Sequence, residues 1–123
     1  MQTRATILVV EDDESMRELL RLHLRRAGYL VLCAEGAVAA SHIVHERRPD
    51  LIVADVEMPH MDGIEFAQTV KSNPATSSIP FIFVSANADA EPQVRQVGAA
   101  AFVKKPFMAH DFLAAVARHV GGP

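Results

Sequence analysis

Five times along a chain of 123 residues, a short continuous apolar run gives way to a stretch whose apolar positions recur with the helical period. That alternation limits the fold more than any single residue does. Ala5 to Val10 reads Ala-Thr-Ile-Leu-Val-Val, with no polar face to show to water, which suits a strand covered on both sides. From Ser15 onward Met16, Leu19, Leu20, His23, Leu24 and Ala27 repeat at helical spacing, and Gly28 marks a stop. Leu30 to Ala34 is the second apolar run. Ala40, Ile43, Val44 and Arg47 follow it with helical period until Pro49 breaks the pattern. The third unit is a strand over Leu51 to Ala54 and a helix from about Ile64 to Ser72, closed by Asn73-Pro74. Phe81 to Val84 opens the fourth, whose helix looks abbreviated: Pro92 and a polar start leave only Gln93 to Val97. Ala101 to Val103 and then Phe112, Leu113, Val116 and Val120 complete the fifth. Each crossover must pack a helix back onto the sheet, so the expected class is α/β, a doubly wound five-stranded parallel sheet in one domain over residues 1–123.

Half of the residues are apolar and 22% are charged, an ordinary globular balance that argues against disorder. A net charge of -3 provides no basic stripe for nucleic-acid phosphates, so direct nucleic-acid binding is not expected. The apolar runs fall well short of the roughly 20 residues that cross a bilayer. Met1 to Thr6 lacks the pattern of a secretory leader, and the single Cys33 cannot form an internal disulfide, which together point to the cytoplasm. Of the six histidines only His42 and His45 share a helix face, and no nearby Cys or carboxylate completes a zinc site around them.

In open parallel sheets ligands gather outside the carboxyl ends of the strands. Here those ends carry Glu11-Asp12-Asp13, then Asp55, then Ser85, then Lys104-Lys105-Pro106: acid, acid, hydroxyl and base. Carboxylates about 5 Å apart repel by about 3 kcal/mol per pair at an effective dielectric near 20, so the cluster calls for a cation. Oxygen donors without histidine or thiol favour a hard ion, Mg2+ first and Mn2+ as the substitute. With a cation held by Glu11 and Asp12, Asp55 can attack a phosphoryl group while the metal, Ser85 and Lys105 stabilise its charged oxygens. Each signal alone is weak. Acids ahead of a helix are more often caps, a lone Asp after a strand is usually a turn residue, and a lone Lys-Pro is usually a surface turn. Four strand ends with complementary chemistry outweigh those readings.

Five segments in this order and spacing resemble the response-regulator receiver family of bacterial two-component systems. They are Ile7-Leu-Val-Val-Glu-Asp-Asp13, Asp50-Leu-Ile-Val-Ala-Asp55, Met58-Pro-His-Met-Asp-Gly63, Val84-Ser-Ala86 and Lys105-Pro-Phe107, and the resemblance covers essentially the whole chain. It implies a flavodoxin-like sheet of order 2-1-3-4-5, with Asp55 as phosphoacceptor. It also implies Glu11 and Asp12 as the metal-side acids, and the backbone carbonyl of Glu57 as a further Mg2+ ligand beside Asp55. Ser85 would be the switch hydroxyl and Lys105 the cation that contacts the phosphoryl group, in preference to Lys104, with a cis peptide bond before Pro106. Glu57 and Asn87 resemble the positions that tune loss of the phosphoryl group to water. Small Ala86 leaves access to the site.

The same resemblance implies a phosphohistidine donor on a histidine kinase or histidine phosphotransfer protein, and an unidentified downstream protein target. The chain would be no enzyme beyond its own phosphorylation and dephosphorylation. Two departures stand out. Ser85 to Gly98 is shorter than the family usually has, which puts the helix 4 face in question as an output surface. Phe102 stands where the family often has a switch tyrosine, and a plain core role for it is as well supported. No output domain follows within the sequence, so the chain is either a stand-alone regulator or a piece of a larger one. The alternative function is a non-phosphorylated, receiver-like interaction scaffold, against which the full set Glu11, Asp12, Asp55, Ser85 and Lys105 argues. A flavin protein fails on the three acids after strand 1, and a haloacid-dehalogenase-like phosphatase needs Asp-x-Asp where this chain has Glu-Asp-Asp.

Overall fold

The computed structural model describes residues 4–58 and 62–120. Pro59, His60 and Met61 of the Met58–Gly63 motif, the first three residues, and the Gly121-Gly122-Pro123 end lie outside the described residues. The elements run β1 (Thr6–Val10), α1 (Glu14–Arg26), β2 (Leu30–Ala34), α2 (Ala37–Arg47), β3 (Leu51–Asp55) and α3 (Gly63–Ser72). They continue through β4 (Phe81–Ser85), a single 3-10 turn (Ala88–Ala90), α4 (Glu91–Gln96), β5 (Ala101–Lys104) and α5 (Ala109–His119). The strands form one parallel sheet of order β2-β1-β3-β4-β5, the flavodoxin-like order the resemblance implied.

Strand side chains alternate between faces, so each continuous apolar run serves two cores at once. Leu8, Val10, Ile52, Ala54, Phe81 and Phe83 point into the core shared with α2, α3 and α4. Ile7, Val9, Leu51, Val53, Ile82 and Val84 point into the other, closed by Leu20 and Leu24 of α1 and by Phe112 and Val116 of α5. Both faces are therefore covered, and the chain reversals that carry polar residues are left at the sheet's two ends.

Most element bounds agree with the sequence within a residue or two. Gly28, with φ of 101°, follows the α1 C-cap as a left-handed stop. The fourth helix is short, but it begins at Glu91 rather than Gln93. Pro92 sits within its first turn, where a missing N–H costs no intrahelical bond, so the proline starts this helix instead of delaying it. The last helix likewise begins earlier than its first apolar positions indicate, at Ala109. No described helix is long and apolar enough to cross a membrane.

Candidate functional site

Four polar residues are buried among the described residues: Glu11, Asp55, Thr76 and Ser85. Three of the four stand at the carboxyl ends of β1, β3 and β4, the central strands of the sheet. Burying a polar or charged group is costly unless it is hydrogen-bonded or paired, so three such groups at one end of the sheet mark a candidate site.

The acids meet in space. Glu11, Asp12 and Asp55 each offer a carboxylate oxygen, and these atoms lie within 4.8 Å of one another. Lys105, just beyond β5, reaches across to them: its Nζ donates to Glu11 Oε1 at 3.0 Å and to Asp55 Oδ2 at 3.1 Å. The other oxygen of Asp55, Oδ1, accepts the backbone N–H of Glu57 at 3.1 Å. Lys104, by contrast, is exposed. The Lys105–Pro106 peptide is cis.

Protonation follows from this packing. Burial, reinforced by the hydrogen bonding and charge of Asp55 and opposed by Lys105, pushes the Glu11 carboxyl up to about 7. Burial works against the Lys105 ammonium, but its hydrogen bonds to Glu11 and Asp55 outweigh that, and its affinity for the proton rises. The cluster thus carries more acid than one ammonium neutralises. All-oxygen donors, two of the three carboxylates buried and one of them reluctant to ionise, fit a hard divalent cation.

Ser85 is fully buried and stands beside Asp55, one residue beyond its partner Val84 in the β3–β4 register. Its hydroxyl is turned elsewhere: Oγ donates to Glu57 Oε1 at 2.9 Å and accepts the N–H of Asn87 at 3.0 Å. The resemblance offered Glu57 as a metal-ligand carbonyl and, with Asn87, as a position that tunes loss of the phosphoryl group, but the carboxylate contact with Ser85 went unseen. Asp13 is a cap: its carboxylate accepts the N–H of Met16 and begins α1, the structural role that acids ahead of a helix usually have. Phe102 is half-buried and packs against the core on the α3–α4 side.

Two further residues shape the site without having been singled out. Arg17 donates from Nη1 to the carbonyl of Glu11 at 3.0 Å, and a basic residue in the first turn of a helix is the signal that could have found it. Gly63, quoted only as the end of a motif, lies directly beneath Asp55. A Cβ there would fall on the Asp55 carbonyl oxygen and 2.9 Å from the Phe83 ring.

Comparison with known proteins identifies the family and the fold. Residues 7–117 match the response regulator receiver domain family. The phosphate regulon transcriptional regulatory protein PhoB of Pseudomonas aeruginosa is 36% identical over 121 residues, covering 94% of this chain and 53% of PhoB. The polar-differentiation response regulator DivK of Brucella anthropi is 30% identical over 118 residues, covering 94% of this chain and 96% of DivK. The chain thus spans about half the length of the first relative and nearly all of the second. The chemotaxis response regulator CheY4 of Vibrio cholerae superposes with a TM-score of 0.88 at 30% identity, over 94% of this chain and 98% of its own. By its sequence match, its strand order and the acids, hydroxyl and lysine gathered at one end of its sheet, the chain belongs to the response regulator receiver domain family of two-component systems.

Proposed function

We propose that the chain is a Mg2+-dependent phosphoacceptor, in which Asp55 takes a phosphoryl group from the phosphohistidine of a partner histidine kinase or histidine phosphotransfer protein. One observation carries this reading: Asp55 is buried yet gripped at both oxygens, by the Glu57 N–H on one and the Lys105 ammonium on the other. That grip fixes the direction of a carboxylate that must meet phosphorus in line.

Glu11, Asp12, Asp55 and the Glu57 carbonyl would hold the cation, with Mn2+ able to replace Mg2+. The ion supplies positive charge for the phosphoryl oxygens and relieves the repulsion among the acids. The protein's own groups do the rest. A carboxylate oxygen of Asp55 attacks phosphorus, an O–P bond forms and the donor's P–N bond breaks. The electron pair leaves with the imidazole nitrogen, which takes a proton from solvent. Lys105 follows the phosphoryl group as its contacts with Glu11 and Asp55 loosen, and Ser85 leaves Glu57 to donate to a phosphoryl oxygen. Water later attacks the phosphorus, the bond from the Asp55 oxygen to phosphorus breaks, and inorganic phosphate leaves with Asp55 again a carboxylate, so the domain turns over no substrate but its own phosphoryl group.

In this reading residues 1–123 form one receiver domain that acts in the cytoplasm and signals to a protein target by conformational change. A net charge of -3 favours protein contact over direct contact with nucleic acid. The test is incubation with Mg2+ and acetyl phosphate, followed by intact mass. One phosphoryl adduct is expected in wild type, lost with EDTA and in Asp55→Asn. A folded wild-type protein that takes up no phosphoryl group would sink the proposal and leave the interaction scaffold.

A further inference from the structure

Arg17 ends the first turn of α1, where a cation faces the positive end of the helix dipole and is disfavoured. Its placement therefore asks for a compensating role. The side chain is only 17% exposed and folds back toward the helix N-terminus, the direction in which helical side chains lean. Nη1 donates to the Glu11 carbonyl at 3.0 Å and makes a longer contact of 3.4 Å with the Asp12 carbonyl. The backbone N–H of the same residue donates to the Asp13 carbonyl at 2.9 Å. One residue thus occupies the carbonyls of all three consecutive acids. From the far side Glu11 is tied to the next strand, its N–H donating to the Ala34 carbonyl at 3.1 Å. Nη2 of Arg17 lies 3.7 Å from Glu35, in the turn after that strand.

Where a carboxylate points depends on the backbone that carries it, and fixing successive carbonyls fixes that backbone. We propose that Arg17 is a positioning residue for the divalent-cation site: by holding the carbonyls of Glu11 and Asp12 it aims their carboxylates at the ion. The inference rests on the Mg2+ reading of those two acids. Charge alone would act in the opposite sense, because a guanidinium near a cation site repels the ion. Glu35, 3.7 Å from the guanidinium and 82% exposed, screens little of that charge. The two accounts predict opposite signs.

The experiment is calorimetric titration of Mg2+ into the EDTA-stripped full chain, for wild type, Arg17→Ala, Arg17→Lys and Glu35→Ala, with urea unfolding to establish that each is folded. Residues that orient metal ligands through hydrogen bonds typically contribute tenfold or more to affinity, so Kd should rise about tenfold in Arg17→Ala. Arg17→Lys keeps the charge but loses the fork, and its Kd should rise about threefold. Glu35→Ala should stay within about twofold of wild type, because it leaves both carbonyl contacts in place. Unchanged or tighter binding in folded Arg17→Ala would overturn the inference, as would a loss in Glu35→Ala equal to that in Arg17→Ala. Should Arg17→Ala not fold, Arg17→Lys decides on the same criterion. A wild-type chain that binds no Mg2+ would overturn the metal reading and this inference together, whereas wild-type binding with indifferent Arg17 variants overturns this inference alone.

Discussion

The Ser85 hydroxyl donates to the Glu57 carboxylate at 2.9 Å, which engages a buried hydroxyl beside Asp55 with an acid. To reach a phosphoryl oxygen Ser85 must first give up that bond. The carboxylate's own charge also opposes an incoming anion. A hydrogen bond to a charged group has a net worth of about 1.5 to 3 kcal/mol, enough to hold the hydroxyl in place but not to lock it. Glu57→Ala should therefore bind beryllofluoride, a phosphoryl mimic, several-fold more tightly in the presence of Mg2+, and Glu57→Gln should fall between the two. Fluorine NMR titration measures this directly. Equal or weaker binding by Glu57→Ala would show that the contact does not compete with the phosphoryl group.

Protonation of Glu11 gives the metal-free protein a pH dependence of defined sign. Its folded pKa is raised from 4.5 to about 7, so between those values the folded state holds a proton that the unfolded state has lost. The stabilisation is complete below about pH 4.5 and disappears as pH rises through 7, a fall on the order of 3 kcal/mol at most. Urea midpoints in EDTA should decline over that window in wild type and stay flatter in Glu11→Gln, which cannot ionise. Saturating Mg2+ should remove the decline, because the cation favours the ionised carboxyl. A wild-type curve parallel to that of Glu11→Gln would contradict the assignment.

What the sequence made legible follows from how each feature is encoded. Strands buried on both faces must be continuously apolar, so Ile7 to Val10 and Leu51 to Ala54 declared themselves and placed Glu11 and Asp55 at their ends. Lys105 is distant in sequence from both acids; the strand order that the resemblance implied puts it beyond the edge strand β5 at the same end of the sheet, and its long side chain spans the rest. The Ser85–Glu57 bond was not legible, because it depends on a rotamer at a loop position and periodicity carries no rotamer information. Nor was the start of α4, where Pro92 reads equally as a breaker or as a first-turn residue. The weight on Gly63 stayed hidden for another reason: a glycine in a turn-rich motif suggests a bend, whereas here the constraint is space.

The buried Thr76 hydroxyl donates to the Val70 carbonyl at 2.7 Å, near the C-terminal end of α3, where carbonyls lack helical partners. Thr76→Val keeps the shape of the side chain and removes the shorter of two hydrogen bonds to that carbonyl, leaving the longer one at 3.4 Å from the Asn73 N–H. The net loss of one such hydrogen bond is about 0.5 to 1.5 kcal/mol. The urea midpoint should drop accordingly, with phosphoryl uptake at Asp55 unchanged in the folded protein. A loss of uptake without a loss of stability would mean that this end of α3 is coupled to the site.

Gly63 is the first residue of α3, and its N–H donates to the Val56 carbonyl at 2.7 Å, which draws the helix start against the end of β3. A methyl group at this position meets the Asp55 carbonyl oxygen on one side and the Phe83 ring on the other. Backbone cannot swing away as a side-chain end can, so relief requires moving either α3 or β3. Overpacking of a tight interior costs about 1 to 3 kcal/mol, and a clash with backbone belongs at the upper end of that range. Gly63→Ala should therefore lower the urea midpoint strongly. It should also slow phosphorylation by acetyl phosphate in whatever fraction remains folded, because any shift of the Asp55 backbone misaligns the attacking carboxylate. Normal stability with normal uptake in this variant would show that α3 can retreat from β3 at little cost, and that the close approach beneath Asp55 does not set the geometry of the site.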